Sequence, residues 1–383
     1  MEDPHIYLKR FLQDLTVRPI HNITKPSRRA SVAVVIRLRG ISSCEDESKM
    51  DRSSLRRRSS RKNPYKFCDA GEIEDAFEPS WVKDAVSEIL FIKRSSRSGD
   101  RWTGHVALPG GRRDKSDEGD EAAAIRECEE EVGLDLMVRD ALLCGALPQR
   151  VIVTNWGQKP LMVLCPFVFL WTEDSIPPLK LQASEVAAAF WIPLHFLLDK
   201  KHRTHHPVDV SERMAASTSQ LLKPFFKLMF GPIYASAIEL EPEEVTISSS
   251  KGGVANNMDE VLIMWGITYA VLADMLDFLP PFDFVDSFEY PWFRSWDFGI
   301  VVWLLSWRYK RQRKEDLMDY KFSDIIGMRS GSQSNTNNSR IRDRPSNIDH
   351  LMQGYYKFVR RSVYITLIFR VICFGIAVYY LWK

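Results

Sequence analysis

At 383 residues the chain has room for one large domain or two smaller ones, and 45% hydrophobic with 27% charged residues suffices for a globular core. A formal net charge of +2 is too near neutral for bulk electrostatics to draw it onto nucleic acid, and no nucleic-acid partner is expected. Six scattered cysteines, none in a C-x-x-C spacing, exclude a zinc ribbon or dithiol motif and point to reduced thiols.

Residues 1–30 read as an N-terminal arm; Glu2 and Asp3, with no continuous apolar run up to Lys25, do not have the form of a secretory signal. Ser31–Leu38 is β-branched and apolar and predicts a buried strand that opens the main domain, residues 31–279. Residues 40–78 interrupt it with a polar stretch whose basic centre, Arg52–Lys62, lacks apolar periodicity and is expected to be a disordered insertion. Further strands are expected at Glu88–Lys93, Ala141–Leu147, Leu161–Trp171, Ala187–Trp191 and Met229–Leu240. Pro109-Gly110-Gly111 predicts a turn, and Glu121–Val132 a helix closed by Gly133 at its C-cap. A short helix is expected from Pro193 to Asp199 and a longer one from Met258 to Leu279. Between them, Lys200–Glu212 and Pro242–Asn257 read as loops; His202, His205 and His206 in the first have no ordered frame on which to bind a metal.

The tail is residues 280–326, a linker at 327–349 and a terminal helix at 350–383. Phe298–Trp307 is apolar but too short to span a bilayer, and the basic run Arg308–Lys314 follows it. That pattern fits a helix on an anionic membrane surface and equally one packed on the core. Gly327–Asn347 is rich in Ser, Asn and Arg and is expected to be flexible. Val363–Trp382 is long and apolar enough for a transmembrane helix. Lys357, Arg360 and Arg361 flank it, so the positive-inside rule keeps the main body facing the cytosol. Arg370 interrupts this span and is costly there unless it snorkels or finds a partner. The expected localisation is a membrane of the ER, the mitochondrial outer membrane or the peroxisome.

The chemistry lies in Leu108–Leu134. Glu127, Glu130 and Glu131 are spaced i, i+3, i+4, which stacks three carboxylates on one helical face. Such repulsion needs a neutralising cation, and hard divalent ions with oxygen ligands also suit phosphates. The Pro-Gly-Gly turn just before the helix lets a backbone carbonyl approach without a Cβ in the way.

The order Arg126-Glu127-x-x-Glu130-Glu131-x-Gly133-Leu134, preceded by Gly110-Gly111, resembles the Nudix box. The approach from Gly111 to Arg126 is one residue longer than in the general box, with Asp114 and Asp117 in the gap. That spacing, with Arg94, Arg97, Arg101 and Gly104 upstream, resembles the coenzyme A diphosphatase branch. Leu108, where that branch usually has Phe, and Leu90-Phe91-Ile92 depart from it. Ser184–Leu194 and Trp265–Thr268 resemble the later strand and closing helix of such domains.

This resemblance implies an α/β fold, an α/β/α sandwich with a mixed sheet, to which the helical tail is added. It implies Mg²⁺ or Mn²⁺ as cofactor, with Glu130 and Glu131 as ligands, Glu127 as a further ligand or the base, and the Gly111 carbonyl completing the shell. Arg126 would hold Glu127 or Glu130 in position, and Glu185 could reach the site from its loop. The implied substrate is a nucleoside diphosphate such as coenzyme A or acyl-CoA. Arg94, Arg97, Arg101, Arg112 and Arg113 are the candidates for its extra phosphate. NADH, ADP-ribose and dinucleotide polyphosphates share the chemistry, and a membrane-anchored binding module without catalysis is the alternative from another class.

Overall fold

The computed structural model describes residues 4–20, 22–40, 65–96, 102–154, 159–209, 224, 227, 231–242, 244–247, 261–330 and 346–383. The central strand, β1 (Arg29–Arg39), pairs in parallel with β7 (Lys159–Trp171) and antiparallel with β2 (Val86–Arg94), so the main sheet is mixed. The order continues outward through β8 (Val186–Pro193) to β11 (Glu244–Ile247) on one side and to β5 (Ala141–Ala146) on the other. Three short strands attach to this path: β3 (Val106–Ala107) to β2, β4 (Gly110–Arg112) to β1, and β6 (Arg150–Thr154) to β7.

β1 is apolar without alternation because both of its faces are covered. Ala33 and Val35 join a core with Ala124, Ile125, Cys128 and Val132 of helix α3 (Asp120–Val132). Val34, Ile36 and Leu38 join the opposite core, which is closed by α1 (Pro4–Val17), α2 (Ala70–Phe77) and, beyond the short α4 (Leu194–Leu198), α5 (Gly266–Leu276). The expected sandwich of helices about a mixed sheet is therefore present.

The N-terminal arm belongs to this sandwich. Leu8, Phe11, Leu12 and Leu15 recur at helical spacing and are buried, and the ring of Phe11 lies 5.5 Å from that of Phe278. Nor does the polar insertion run to residue 78: Asp69 and Glu72 form a capping box that starts α2, which buries Ile73 and Ala76. The basic stretch Arg52–Lys62 lies outside the described residues.

Three expectations after residue 200 are corrected. Within Pro242–Asn257, expected as a loop, Glu244–Ile247 is β11, paired along β8. The loop at Lys200–Glu212 contains β9 (Arg203–Val208), paired along β10 (Ile233–Leu240) in a second sheet. The helix expected from Met258 starts only at Gly266, because Leu262–Trp265 is β12 on the other side of β10. Gly266, at φ 65°, turns the chain from strand to helix. β13 (Trp292–Phe293) also pairs with β10.

The tail is likewise built on the core. Helix α6 (Trp296–Ser330) runs through the start of the expected linker. Ser346 caps α7 (Asn347–Met352), and α8 (Tyr355–Trp382) follows; residues 331–345 lie outside the described residues. A buried polar cluster ties α7 to the sandwich. Arg150 is 3% exposed and pairs with Asp274 at 2.5 Å and with Asp349 at 3.2 Å. Asn347 donates its backbone N–H to Asp274 at 2.9 Å and its side-chain amide to Asp277 at 3.1 Å. Breaking such a pair from one side leaves a buried charge alone. Arg150→Leu is expected to cost about 3–5 kcal/mol, read as a fall in Tm of the detergent-solubilised full chain. Adding Asp274→Leu should recover most of that loss.

Candidate active site

The site forms where β4 crosses β1 beneath the last turns of α3. Gly110 and Gly111 pair with Val32 and Ser31. Gly110 sits at φ 152°, and a Cβ there would overlap the Ser31 carbonyl and the Val32 backbone. A Cβ at Gly111 would overlap the Glu127 carboxylate. Gly110 is therefore demanded by close approach to a strand, while at Gly111 a side chain would displace the Glu127 carboxylate.

Helix α3 starts on Gly119, with Asp120 and Glu121 in the first turn where the helix dipole favours acids. Its last turn has no basic residue, and Glu129, Glu130 and Glu131 stand there against the dipole. Gly133, at φ 71°, ends it and donates to the Glu129 carbonyl at 2.9 Å. The acidic end thus costs helix stability and must be offset from outside.

Arg126 supplies part of the offset. Its guanidinium donates to Asp117 at 2.9 and 3.0 Å, to Glu127 at 3.1 Å, to Glu130 at 3.0 Å and to the Arg112 carbonyl at 3.0 Å. The Asp117 contact raises the arginine's pKa, and the same contact lowers that of Asp117. Asp117 is fixed in turn by the Asp114 N–H at 2.7 Å. The extra length between Gly111 and the helix therefore has a structural use: it folds into a turn that delivers a carboxylate to Arg126.

Glu131 is different. It is 1% exposed and accepts the Gly110 N–H at 2.8 Å. Burial pushes its carboxyl up to about 8; the Gly110 bond opposes the rise, the charge of Glu127 adds to it, Arg94 opposes it and Glu185 adds to it. Glu127 is also raised, chiefly by burial, with Glu130 and Glu185 adding to the rise against Arg126. Glu127 thus lies against the Gly111 backbone and, with Glu185, within electrostatic reach of Glu131, while Glu130 shares Arg126 with Glu127. Among the described residues no three acidic, histidine or cysteine side chains are gathered closely enough to hold a metal ion by themselves. Arg126 occupies one side of Glu127 and Glu130. The buried Glu131 carboxylate, which accepts the Gly110 N–H, is an oxygen donor of the kind a hard divalent cation takes.

The candidate substrate arginines divide. Arg112 is exposed beside Gly111, and Arg94 acts electrostatically on Glu131. Arg113 is turned inward, donating to Asp120 at 3.2 Å and to the Asp117 and Glu118 carbonyls. Arg97 and Arg101 lie outside the described residues. Sequence reasoning missed Arg29, which forks onto Asp120 through Nε at 2.8 Å to both oxygens and so pins the start of α3 to β1. It also missed the ring cluster at the domain's second sheet, where Trp265 lies 4.9 Å from His105 and 4.7 Å from His206. A lone tryptophan and two histidines far apart in sequence gave no signal of it.

The Glu131 shift has a consequence for stability. Unfolded, a glutamate ionises near pH 4.5; folded, Glu131 holds its proton to about 8. The unfolded state therefore binds fewer protons between those values, and stability falls as pH rises across that window. The Tm of the full chain without divalent ions is expected to drop from pH 5 to pH 8. Mg²⁺ should restore it at pH 8, and Glu131→Gln should flatten the profile and remove the Mg²⁺ effect. A Tm that rises over that range would contradict the assignment.

Residues 81–209 match the NUDIX domain family. An uncharacterized protein of Schizosaccharomyces pombe is 39% identical over 216 residues, covering 55% of this chain and 63% of that protein. The uncharacterized Nudix hydrolase NudL of Enterobacter sp. is 35% identical over 127 residues, 33% of this chain and 58% of NudL. The chain thus spans less than two thirds of the length of either relative. Among solved structures, a C. elegans Ap4A hydrolase in a binary complex aligns with 52% of this chain and 96% of its own, at 14% identity and a TM-score of 0.25.

Proposed function

From a chain that carries a Nudix domain over residues 81–209, we propose a divalent-metal-dependent hydrolase of a nucleotide diphosphate linkage, with coenzyme A or acyl-CoA as substrate. The products would be 4′-phosphopantetheine or its acyl form and adenosine 3′,5′-bisphosphate. The observation that carries this reading is the buried Glu131 carboxylate beside Glu127 at the Gly110-Gly111 crossing. Three acids at the wrong end of a helix have no structural use that would offset their repulsion.

Glu127, Glu130, Glu131 and the Gly111 carbonyl would hold Mg²⁺ or Mn²⁺, which supplies charge neutralisation on the diphosphate and lowers the pKa of water. The chain's own residues do the rest. Arg126 positions Glu127 and Glu130 and keeps their mutual repulsion in check. Glu127, whose pKa is raised, is suited to take a proton from the attacking water. Arg112 and Arg94 offer cationic contacts to phosphate oxygens at the mouth. Glu127→Gln or Glu130→Gln is expected to lower kcat by at least about a hundredfold with the melting temperature maintained, as removal of a proton acceptor or metal ligand does. Full activity in the Glu130→Gln, Glu131→Gln double variant would end the enzyme reading.

Within the same chemistry, a substrate without the 3′-phosphate, such as NADH or ADP-ribose, is favoured by one observation: Arg113 is already committed to Asp120. Coenzyme A and dephospho-coenzyme A separate the two readings. If Arg112 reads the 3′-phosphate, Arg112→Ala should lower kcat/KM for coenzyme A by about ten- to a hundredfold, the value of one charge-assisted contact, and leave dephospho-coenzyme A nearly unchanged. Equal kcat/KM for both substrates in the unaltered protein would mean that the 3′-phosphate is not read.

The C-terminal segment contains one helix long and apolar enough to cross a membrane, and only 11% of its most apolar window is buried. We read it as an anchor that holds the catalytic domain on the cytosolic face of an organelle membrane. Because Thr366 is buried and Arg370 pairs with Asp297 of α6, truncation after Arg370 removes the exposed apolar turns while sparing the packed ones. The full chain is expected to remain in the membrane pellet after alkaline carbonate, and the chain ending at Arg370 to be released.

A further inference from the structure

Helices α6 and α8 lie antiparallel and in step. Arg370 of α8 forks onto Asp297 of α6 at 2.6 and 2.7 Å, and the ring of Phe358 lies 5.2 Å from that of Tyr309. These two contacts are twelve residues apart on each helix, so Trp303 and Tyr364, midway between them, stand at one height. Phe298, Val302 and Ser306 of α6 and Val359, Ser362 and Thr366 of α8 are buried. The other side of both helices is apolar and exposed.

That side has the spacing of a helix seam. Trp296, Ile300, Trp303 and Trp307 of α6 follow one another by four, three and four residues, and all are exposed. On α8 the exposed Ile365, Ile368 and Ile372 follow by three and four, with Tyr364 beside them. Trp296 is 77% exposed, Trp303 59% and Tyr364 68%. Aromatic side chains can each bury about 150–250 Å², so the two seams together offer on the order of 1,000 Å². Each partner in a standard protein interface buries roughly 800 Å². A single soluble body rarely leaves so large an apolar patch uncovered.

Lipid does not fit over this face along its whole length. α6 starts directly after Arg294 and Ser295, which line one surface cavity with Asp209 and Lys227. Folded polar protein therefore stands level with Trp296, and every residue of α8 is exposed only beyond Arg370. Protein suits the face better, and the in-step pairing makes the face complementary to itself. A twofold axis along the helices keeps every height and exchanges left for right. α6 of one copy then opposes α8 of the other in antiparallel sense. Trp303 meets Tyr364 of the second copy, Ile300 meets the level of Leu367 and Ile368 of the second copy, and Trp307 meets that of Arg360 and Arg361 of the second copy. A guanidinium over an indole is a favourable contact.

We propose that a second copy of this chain covers the face, so that α6 and α8 of two copies form a four-helix bundle about a twofold axis parallel to the helices. The twelve residues of α8 from Val371 to Trp382 then leave the bundle in pairs on the same side, and offer a membrane two apolar ends instead of one. Pairing of two copies is independent of the hydrolase reading.

The test uses the full chain, with Cys44 and Cys373 replaced by serine, in phosphatidylcholine vesicles at high lipid dilution; Cys68, Cys128, Cys144 and Cys165 are buried. Ile300→Cys and Ile368→Cys are placed on two differently tagged chains, which are mixed before reconstitution and treated with a short bis-maleimide. A cross-linked product carrying both tags is expected. Trp303→Glu should lower its yield at least about tenfold, as loss of a central aromatic anchor does, and Trp303→Phe should keep it. Tyr364→Glu should act as Trp303→Glu does. All three variants should keep the parent's circular dichroism, because both positions are exposed in the single chain. Absence of the mixed product overturns the pairing. A dye on Ile300→Cys then shows what lies there: quenching by a doxyl-labelled lipid means lipid, and quenching by aqueous iodide means an open face. A mixed product that survives Trp303→Glu and Tyr364→Glu arises from another contact, and it overturns the bundle as well.

Discussion

The site depends on how closely β4 approaches its neighbours. β4 lies on β1 with no room for a side chain at Gly110, and the same residue's N–H is the hydrogen-bond donor to the buried Glu131 carboxylate. One backbone amide cannot stabilise a buried anion fully, so Glu131 stays charge-deficient. That deficit is what a divalent ion and a polyphosphate would complete. The fold contributes rigidity: β1 is held by β7 along one edge and by β4 and β2 in succession along the other, and α3 is bolted to it by the Arg29–Asp120 fork.

Arg126 then decides which acids are held and which are left available. It engages one oxygen each of Glu127 and Glu130 and both oxygens of Asp117, and no contact reaches Glu131. The divided loyalty is useful. Lowering the pKa of Asp117 makes it a permanent counter-charge, while Glu127, with burial raising its pKa, keeps proton affinity. An arginine suits the place because its planar fork serves several acceptors at once.

Much of this was legible because it is local. The i, i+3, i+4 acids, the glycine pair and the Gly133 stop lie within one stretch, and the structure keeps their order. What escaped is held by distant contacts. Leu262–Trp265 reads as helical from its apolar run and becomes a strand because β10 offers an edge. His205 and His206 read as a loop and are a strand for the same reason. Arg113 looked like a free cation, and Asp120 had already taken it. The N-terminal arm showed helical spacing at Leu8, Phe11, Leu12 and Leu15, a signal present in the sequence and left unused.

The tail shows how the long apolar helix α8 is joined to the sandwich without a loose tether. Arg150 stands at the start of β6, Asp274 near the end of α5, and Asp349 in the first turn of α7, which leads into α8. α5 also donates from Thr268 to the Val106 carbonyl on β3, the strand that runs toward Gly110. A buried ion pair adds little net stability, but it penalises every arrangement that leaves one charge alone. The cluster therefore fixes where α8 departs from the body more than how tightly the body folds. α8 is also held at Tyr355, which donates to the Pro291 carbonyl, so it leaves the body from a fixed point. The direction in which α8 leaves the sandwich is then set by packing in the core.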